Sequence, residues 1–339
     1  MKAHQLSNRQ LAGQRLVAGF DGIDLNSDLK ALIEDLKVGG LILFSRNLVD
    51  PEQIRTLCRS AQKYAAACNQ PPLLIAIDQE GGQVARLKEP FTRFAGNPSM
   101  KSVRDAENFA RITAAELSSL GINMNLAPVL DVVPEGFDGI MRQRSFGSDP
   151  AWVAKLGTAV IETLQKNGVM AVAKHFPGIG RTILDSHLDL PDLNIDIAGL
   201  ESFDLIPFQA AIAHQVAGIM LSHIRYTGVD PVYPAGLSPE ITRRLLRSRM
   251  GYQGIVMTDD LDMGAVTRHF DIHAVVDQLL RCEVDIVLIC HKGPNIETAY
   301  SRILEGIEGS AEIRKFGIRS AQRILQTKAD YLTGNKAEI

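Results

Sequence analysis

Short runs of consecutive apolar residues recur along the chain, separated by longer segments of mixed polarity. Continuous apolar runs of this length are typical of strands that are covered on both faces, as in a parallel sheet. Eight runs have this character, at residues 15–20, 40–44, 73–77, 122–126, 169–173, 217–221, 254–257 and 284–289. The pattern therefore predicts eight buried strands.

Between these runs, apolar residues recur at the spacing of amphipathic helices. Several of these segments begin with a capping residue followed by proline, as in Asp50-Pro51 and Asp149-Pro150, which is a signal for the start of a helix. Helices are predicted at residues 27–36, 51–66, 106–120, 150–167, 205–214, 239–250, 273–281, 295–306 and 310–327.

Strands that alternate with helices in this way predict an α/β fold. Eight repeats favour a single-domain (β/α)₈ TIM-type barrel spanning residues 1–339, with C-terminal helices at about 294–330 packed on it. An open doubly wound sheet fits the same alternation and stays an alternative. No GxGxxG motif follows the first run, so a dinucleotide-binding version of that sheet has little support.

Polar side chains follow each predicted strand at or just past its C-terminal end. They are Asp21, Arg46, Asp78 with Glu80, Asp131, Lys174 with His175, His223, Asp259 and His291. In a barrel these ends converge on one mouth, where catalytic groups are carried. An apolar run must end in something polar, but ionisable groups at so many ends favour an active site.

The charge balance and the cysteines narrow the class of protein. The 36 Lys and Arg residues nearly balance the 39 Asp and Glu residues, which argues against a nucleic-acid partner. The sequence has neither a signal-peptide core nor an apolar stretch that could span a membrane, so we expect no membrane partner and a cytoplasmic location. Its four cysteines lack zinc-site spacing, and we expect reduced thiols, no metal, no cofactor and a monomer.

Residues 174–191 (KHFPGIGRTILDSHLDLP) contain a turn-rich stretch followed by the triplet Asp185-Ser186-His187. In an extended backbone, residues two apart project to the same side, so Asp185 can reach the His187 ring. A carboxylate on one imidazole nitrogen fixes the tautomer and leaves the other nitrogen free for proton transfer. An Asx-type turn with a solvated histidine explains the same triplet, and these three residues alone favour that explanation.

Residues 254–263 (GIVMTDDLDM) bring three aspartates to the end of the seventh predicted strand. Glycoside cleavage with retention needs one carboxylate as nucleophile and a separate proton donor. Asp259 is the better nucleophile candidate because it comes first after the strand, and Asp260 is expected to turn away and cap the next segment. A divalent metal is the weaker hypothesis because the EF-hand pattern is missing.

Residues 75–87 (IAIDQEGGQVARL) place Asp78 at another strand end. Its carboxylate can accept two hydrogen bonds from vicinal hydroxyl groups, and Arg86 can return toward the same pocket. A structural salt bridge between Asp78 and Arg86 is compatible with that hypothesis. The pair Gly81-Gly82 would let the backbone approach a ligand closely.

Six motifs in order along the chain together resemble glycoside hydrolase family 3, specifically its single-domain bacterial β-N-acetylglucosaminidases of cell-wall recycling. The resemblance covers most of the chain, from about residue 11 to residue 262. The motifs are D-x-E-G-G-x-V-x-R (residues 78–86), N-x-A-P-V-x-D (125–131), R-S-F-G (144–147), K-H-F-P-G (174–178), D-S-H (185–187) and T-D-D-L-x-M (258–263). Each motif is weak alone, but six in order make a strong signal.

The resemblance implies a retaining exo-β-N-acetylglucosaminidase that acts on carbohydrate such as muropeptide fragments. It implies Asp259 as the nucleophile and the Asp185–His187 pair as the general acid/base, on a mobile loop that closes over the sugar. Histidine suits this role because its ordinary pKa of ~6.5 is near working pH. The residues implied to hold the N-acetylglucosamine ring are Asp78, Arg86, Arg144, Lys174 and His175.

One position departs from the family pattern. Many relatives carry histidine after K-H-F-P-G, whereas this chain has Ile179, with Arg181 following Gly180. Because this position lies outside the Asp185–His187 pair, catalysis is expected to survive. The change puts in question the polar contacts at the base of the loop and the preference for the leaving group.

Three other functions fit parts of the pattern. A phosphorylase would form the same intermediate on Asp259 and resolve it with phosphate, which a histidine acid/base tolerates because it adds no like charge. A barrel aldolase would use Lys174 as a Schiff base but would leave Asp259 without a role. A non-catalytic sugar-binding protein would have no need to keep Asp185, His187 and Asp259 together.

Overall fold

The computed structural model describes residues 2–332, and its core is a closed barrel of eight parallel strands. In chain order the strands are β1 (Leu16–Ala18), β2 (Gly40–Leu43), β3 (Leu74–Ile77), β4 (Met124–Asn125), β5 (Met170–Phe176), β6 (Gly218–Leu221), β7 (Ile255–Asp260) and β8 (Ile286–Ile289). Each strand pairs with its neighbours along the chain, and β1 pairs with both β2 and β8. The predicted (β/α)₈ barrel is confirmed, and the open sheet is excluded because the sheet has closed on itself.

The strands are apolar throughout because both of their faces are covered. One set of alternating side chains packs inside the barrel, including Ile42, Ala76, Val172 and Met257. The other set packs outward under the helices, as Leu41, Ile75, Ala173 and Val256 do. Residues two apart on a strand share a face. The continuous apolar runs of the sequence are therefore two interleaved core surfaces.

Helices surround the barrel and follow the predicted order, with shifted ends. The long ones span Ser27–Glu34, Pro51–Ala67, Val103–Leu120, Pro150–Lys166, Ile206–Ala213, Ile272–Arg281, Pro294–Gly309 and Ala311–Leu332. Helix Val103–Leu120 begins three residues before its predicted start because the Ser102 side chain caps the Asp105 amide. The segment Glu240–Arg249 is a π-helix. Short helices not predicted from the sequence are Asn8–Gly13, Ile197–Glu201 and Gly264–Thr267.

The last of the predicted C-terminal helices packs on the barrel at its N-terminal end. Lys328, on the last helix, is buried and donates hydrogen bonds to Gln14 Oε1 (2.7 Å) and to the Gly39 carbonyl (2.8 Å) at the start of β2. The four cysteines are free thiols, as expected. Among residues 2–332, no helix is both long enough and apolar enough to cross a membrane.

Candidate active site

A cluster of two carboxylates and three cations, largely buried, lies at the C-terminal end of the barrel. Lys174 Nζ on β5 is 2.7 Å from both Asp78 Oδ1 and Glu80 Oε1, and Arg86 is 3.2 Å from Asp78 Oδ2. Arg144 makes a bidentate pair with Glu80, at 2.7 and 3.0 Å. Asp78 follows Ala76 by two residues, and Lys174 follows Val172 by two, so alternation aims both toward the barrel interior.

The opposite charges in this cluster determine the ionisation states of its members. Burial alone would raise the pKa of Asp78, but Lys174 and Arg86 outweigh it and hold that pKa at about 2. Burial likewise opposes ionisation of Glu80, whose pKa is lowered overall by Lys174 and Arg144. Burial would also lower the pKa of Lys174, yet the two carboxylates raise it above its ordinary value. Both carboxylates are therefore anions, and Lys174 is a cation.

His175 is oriented by a carboxylate that sequence reasoning did not assign to the site. Its Nδ1 is 2.7 Å from Asp131 Oδ2, and Asp131 Oδ1 accepts the Ile179 amide at 2.8 Å. Both His175 and Asp131 are buried. Since Nδ1 is occupied, His175 can offer Nε2 to a ligand. Asp131 closes one of the six motifs, which was the signal for its role.

Asp259 is half-buried near the end of β7, where the strand is irregular. A bulge lies between Met257 and Asp260 in the pairing with β8, and bulges at barrel rims commonly re-aim side chains. Burial raises the pKa of the Cys290 thiol, and the charges of Asp260, Asp78 and Asp259 raise it further. The charges of all three carboxylates therefore act on the buried Cys290 thiol.

Asp260 has a structural role, although not the predicted one. Its Oδ1 accepts the amides of Cys290 (2.9 Å) and Asp262 (3.1 Å), so it ties β7 to β8. It does not cap the following helix, whose N-cap is Met263. Asp260, Asp262 and His291 each offer a ligand atom within 4.8 Å of one another, a set that could hold a cation.

Asp185 and His187 contact each other, but through a turn rather than an extended segment. Asp185 Oδ1 accepts the His187 amide at 2.9 Å and is 2.8 Å from His187 Nδ1. The Asx-type turn and the carboxylate–imidazole contact, considered as alternatives from the sequence, thus occur together. The His187 side chain is 68% exposed, so its Nε2 is open to a bound molecule.

The loop that carries this pair lies against the segment that follows β7. The amides of Gly264 and Ala265 donate to the carbonyls of His187 (3.2 Å) and Ser186 (3.0 Å). Burial raises the pKa of Asp185, but the His187 amide and ring lower it more, and Arg144 lowers it further. The pair is therefore anchored a few residues beyond Asp259 and is influenced by the cation that binds Glu80.

Two glycines of the first motif have a different role from the one expected. Gly81 and Gly82 have positive φ values of 86° and 61°, and a Cβ on Gly82 would lie 3.1 Å from the Gly96 α-carbon. The close approach is therefore to another part of the chain. Glu80, in the same motif, was noted only as a polar strand-end residue, and its pairing with Lys174 could not be read from spacing alone.

This arrangement defines a class of protein. A barrel mouth with a half-buried carboxylate on one strand, a charged cluster able to bind hydroxyl groups, and an oriented imidazole on a nearby loop has groups suited to the hydrolysis of a glycosidic bond. A family model described as the glycosyl hydrolase family 3 N terminal domain matches residues 2–326. The chain belongs to glycosyl hydrolase family 3, which confirms the predicted family and the predicted enzyme class.

Curated relatives carry one activity name. The chain is 35% identical to the beta-hexosaminidase of Alkalilimnicola ehrlichii over 81% of its own length and 80% of that protein. It is 37% identical to beta-hexosaminidase A of Pseudoalteromonas piscicida, over 78% of this chain and 48% of that longer protein.

Solved structures agree with these relatives. A family 3 β-N-acetylglucosaminidase from Paenibacillus sp. FPU-7 matches with a TM-score of 0.94 and 36% identity, over 98% of this chain. The chain spans 64% of the length of that protein. A β-N-acetylhexosaminidase from Beutenbergia cavernae matches with a TM-score of 0.87 and 27% identity, over 96% of this chain and 99% of that one.

Proposed function

We propose that this protein is a retaining exo-β-N-acetylglucosaminidase with Asp259 as nucleophile and His187 as general acid/base. The observation that supports it most is the anchoring of the Asp185–His187 turn to Gly264 and Ala265, just beyond Asp259. That contact holds the backbone of His187 against the segment that follows Asp259, which supports roles for both residues in one site.

In the first step, Asp259 attacks the anomeric carbon while His187, protonated on Nε2, gives its proton to the departing oxygen. The C–O bond to the leaving group breaks as the bond to the Asp259 carboxylate forms. Asp185 orients the imidazole ring because its carboxylate contacts Nδ1, which leaves Nε2 to face the departing oxygen. In the second step, neutral His187 removes a proton from water while the water oxygen bonds to the anomeric carbon. The bond from that carbon to Asp259 breaks, which releases the sugar and regenerates the free carboxylate.

The buried cluster would hold the sugar ring. Asp78 is an acceptor for hydroxyl groups, while Arg86, Lys174 and His175 supply donors around it. Arg144 pairs with Glu80 through Nε and Nη2, and its remaining N–H groups keep it among the residues proposed to hold the sugar ring. The resemblance to cell-wall recycling enzymes extends the proposal to muropeptide fragments as substrate and to the cytoplasm as location.

Lys174 is unsuited to the chemistry of an aldolase. A Schiff base requires a neutral amine, whereas the two carboxylates beside Lys174 raise its pKa and keep it protonated.

The test is hydrolysis of para-nitrophenyl N-acetyl-β-glucosaminide, compared with the plain β-glucoside. We expect turnover of the first substrate and a large preference for it. Asp259→Asn should remove nearly all turnover while leaving thermal unfolding unchanged, with Asp138→Asn, an exposed carboxylate, as the control. Near-wild-type turnover by Asp259→Asn would refute the assignment. Formation of a sugar 1-phosphate when phosphate is added would show a phosphorylase instead.

A further inference from the structure

An ion pair that no part of the proposed mechanism uses lies at the root of the loop carrying His187. Arg181 Nη2 is 3.1 Å from Asp204 Oδ2, and the Arg181 guanidinium lies 4.5 Å from the centre of the Phe203 ring. Asp204 and Phe203 belong to the short connection between helices Ile197–Glu201 and Ile206–Ala213. The Arg181 side chain is therefore held by the Asp204 carboxylate on one side and by the face of the Phe203 ring on the other.

Burial of the Asp204 carboxylate lowers the stability of the folded protein. Asp204 is fully buried, and within residues 2–332 neither of its oxygens has a hydrogen-bond partner. The nearby cation of Arg181 is therefore its main compensation. A buried carboxylate so poorly satisfied destabilises a fold, which indicates that it does something other than stabilise.

Asp204 lies against the turn from which the loop carrying His187 begins. A Cβ on Gly178 would lie 2.9 Å from the Asp204 side chain, so the turn that begins the loop rests directly on this residue. Two further contacts hold the same turn: Tyr226 donates to the Gly178 carbonyl at 2.7 Å, and Asp131 accepts the Ile179 amide at 2.8 Å. Arg181 lies four residues before Asp185, between this turn and the segment that leads to His187.

The geometry points to Arg181 as a positioning residue: held by Asp204 and Phe203, it fixes the root of the loop and so sets where the His187 imidazole stands above the barrel mouth. Arg181 fixes the loop at its root, and the amides of Gly264 and Ala265 hold it beside His187. This inference rests on the proposed function, and it assigns the contact at the loop base that Ile179 cannot make.

Leaving-group dependence tests the inference. Substrates with a poor leaving group, such as an alkyl N-acetyl-β-glucosaminide, need the proton from His187, whereas a dinitrophenyl glycoside departs without it. Arg181→Met should lower kcat/KM for the alkyl substrate on the order of 10- to 100-fold, and that for the dinitrophenyl substrate about 3-fold or less. Arg181→Lys, which keeps the charge, should recover part of the loss.

Two further variants keep the test decisive. Arg302→Met is the control, because Arg302 is an outer arginine that donates hydrogen bonds to both carboxylate oxygens of Asp277. This variant should leave kcat/KM for both substrates unchanged. Arg181→Met combined with Asp204→Asn avoids a stranded buried charge and carries the test if the single variant does not fold. An equal loss on both substrates, or no loss on either, would overturn the inference. If the wild-type protein cleaves neither substrate, it is the proposed function that fails.

Discussion

Asp204→Asn should change how the stability of this protein depends on pH. Burial raises the pKa of the Asp204 carboxyl from 3.8 to about 7, although Arg181 opposes the shift. In the unfolded chain the carboxyl is ionised above about pH 4, but in the folded protein it keeps its proton until near pH 7. A carboxyl with a raised pKa contributes stability at low pH that is lost as the pH rises through the folded value.

The size of the effect follows from the shift. One pKa unit corresponds to ~1.4 kcal/mol. Between about pH 5 and about pH 8 the folded protein loses the Asp204 proton. This ionisation should lower the free energy of unfolding of the wild type by about 2 to 3 kcal/mol across that range. The amide that replaces the carboxyl in the Asp204→Asn variant has no proton to lose. The difference in unfolding free energy, variant minus wild type, should therefore rise by that amount.

Denaturant unfolding at both pH values measures this difference, because contributions from groups common to both proteins cancel. Asp138→Asn is the control, since that carboxylate is exposed and water screens its interactions. A variant-minus-wild-type difference that stays constant within about 0.5 kcal/mol would refute the argument. It would mean that Asp204 is already ionised at low pH, and so better satisfied than its surroundings indicate.

Two further predictions concern the charged groups of the site. Lys174→Met should destabilise the fold by about 3–5 kcal/mol because it strands the Asp78 and Glu80 carboxylates in the interior, and Lys174→Met with Glu80→Gln should recover part of that in thermal unfolding. His187→Ala should lower kcat/KM on the order of 10²–10⁴-fold for alkyl glycosides, with azide restoring turnover of dinitrophenyl glycosides as a β-glycosyl azide. An unchanged melting temperature of Lys174→Met would contradict the first prediction. The absence of a β-glycosyl azide from the His187→Ala reaction would contradict the second.

The barrel could be predicted because its strands are covered on both sides. Alternate residues such as Ala76 and Ile75 fill different core layers, so the sequence shows unbroken apolar runs with polar groups at their ends. Helix ends were less accurate where a cap was overlooked, as at Ser102. The short helix Gly264–Thr267 has no side-chain cap, so the sequence contains no capping signal from which to predict it.

The site was predictable where its residues lie on strands or in motifs, and less so where partners come from elsewhere in the chain. Asp78, Lys174 and Asp259 lie at or near the C-terminal ends of strands, and in a barrel these ends converge on the mouth. The partnership of Glu80 with Arg144 depends on side-chain geometry across distant segments. Asp204 carries no motif and lies between two helices, so nothing in the sequence marks its burial beside Arg181.

The central claim is that Asp259 becomes covalently bonded to the sugar. A fluorinated N-acetylglucosaminide analogue with a good leaving group should form a slowly hydrolysed adduct, which peptide mass spectrometry can locate. We expect the added mass on Asp259 and, with a normal substrate, release of the β-anomer first. An adduct on Asp260 or Asp262, or release of the α-anomer, would contradict the account.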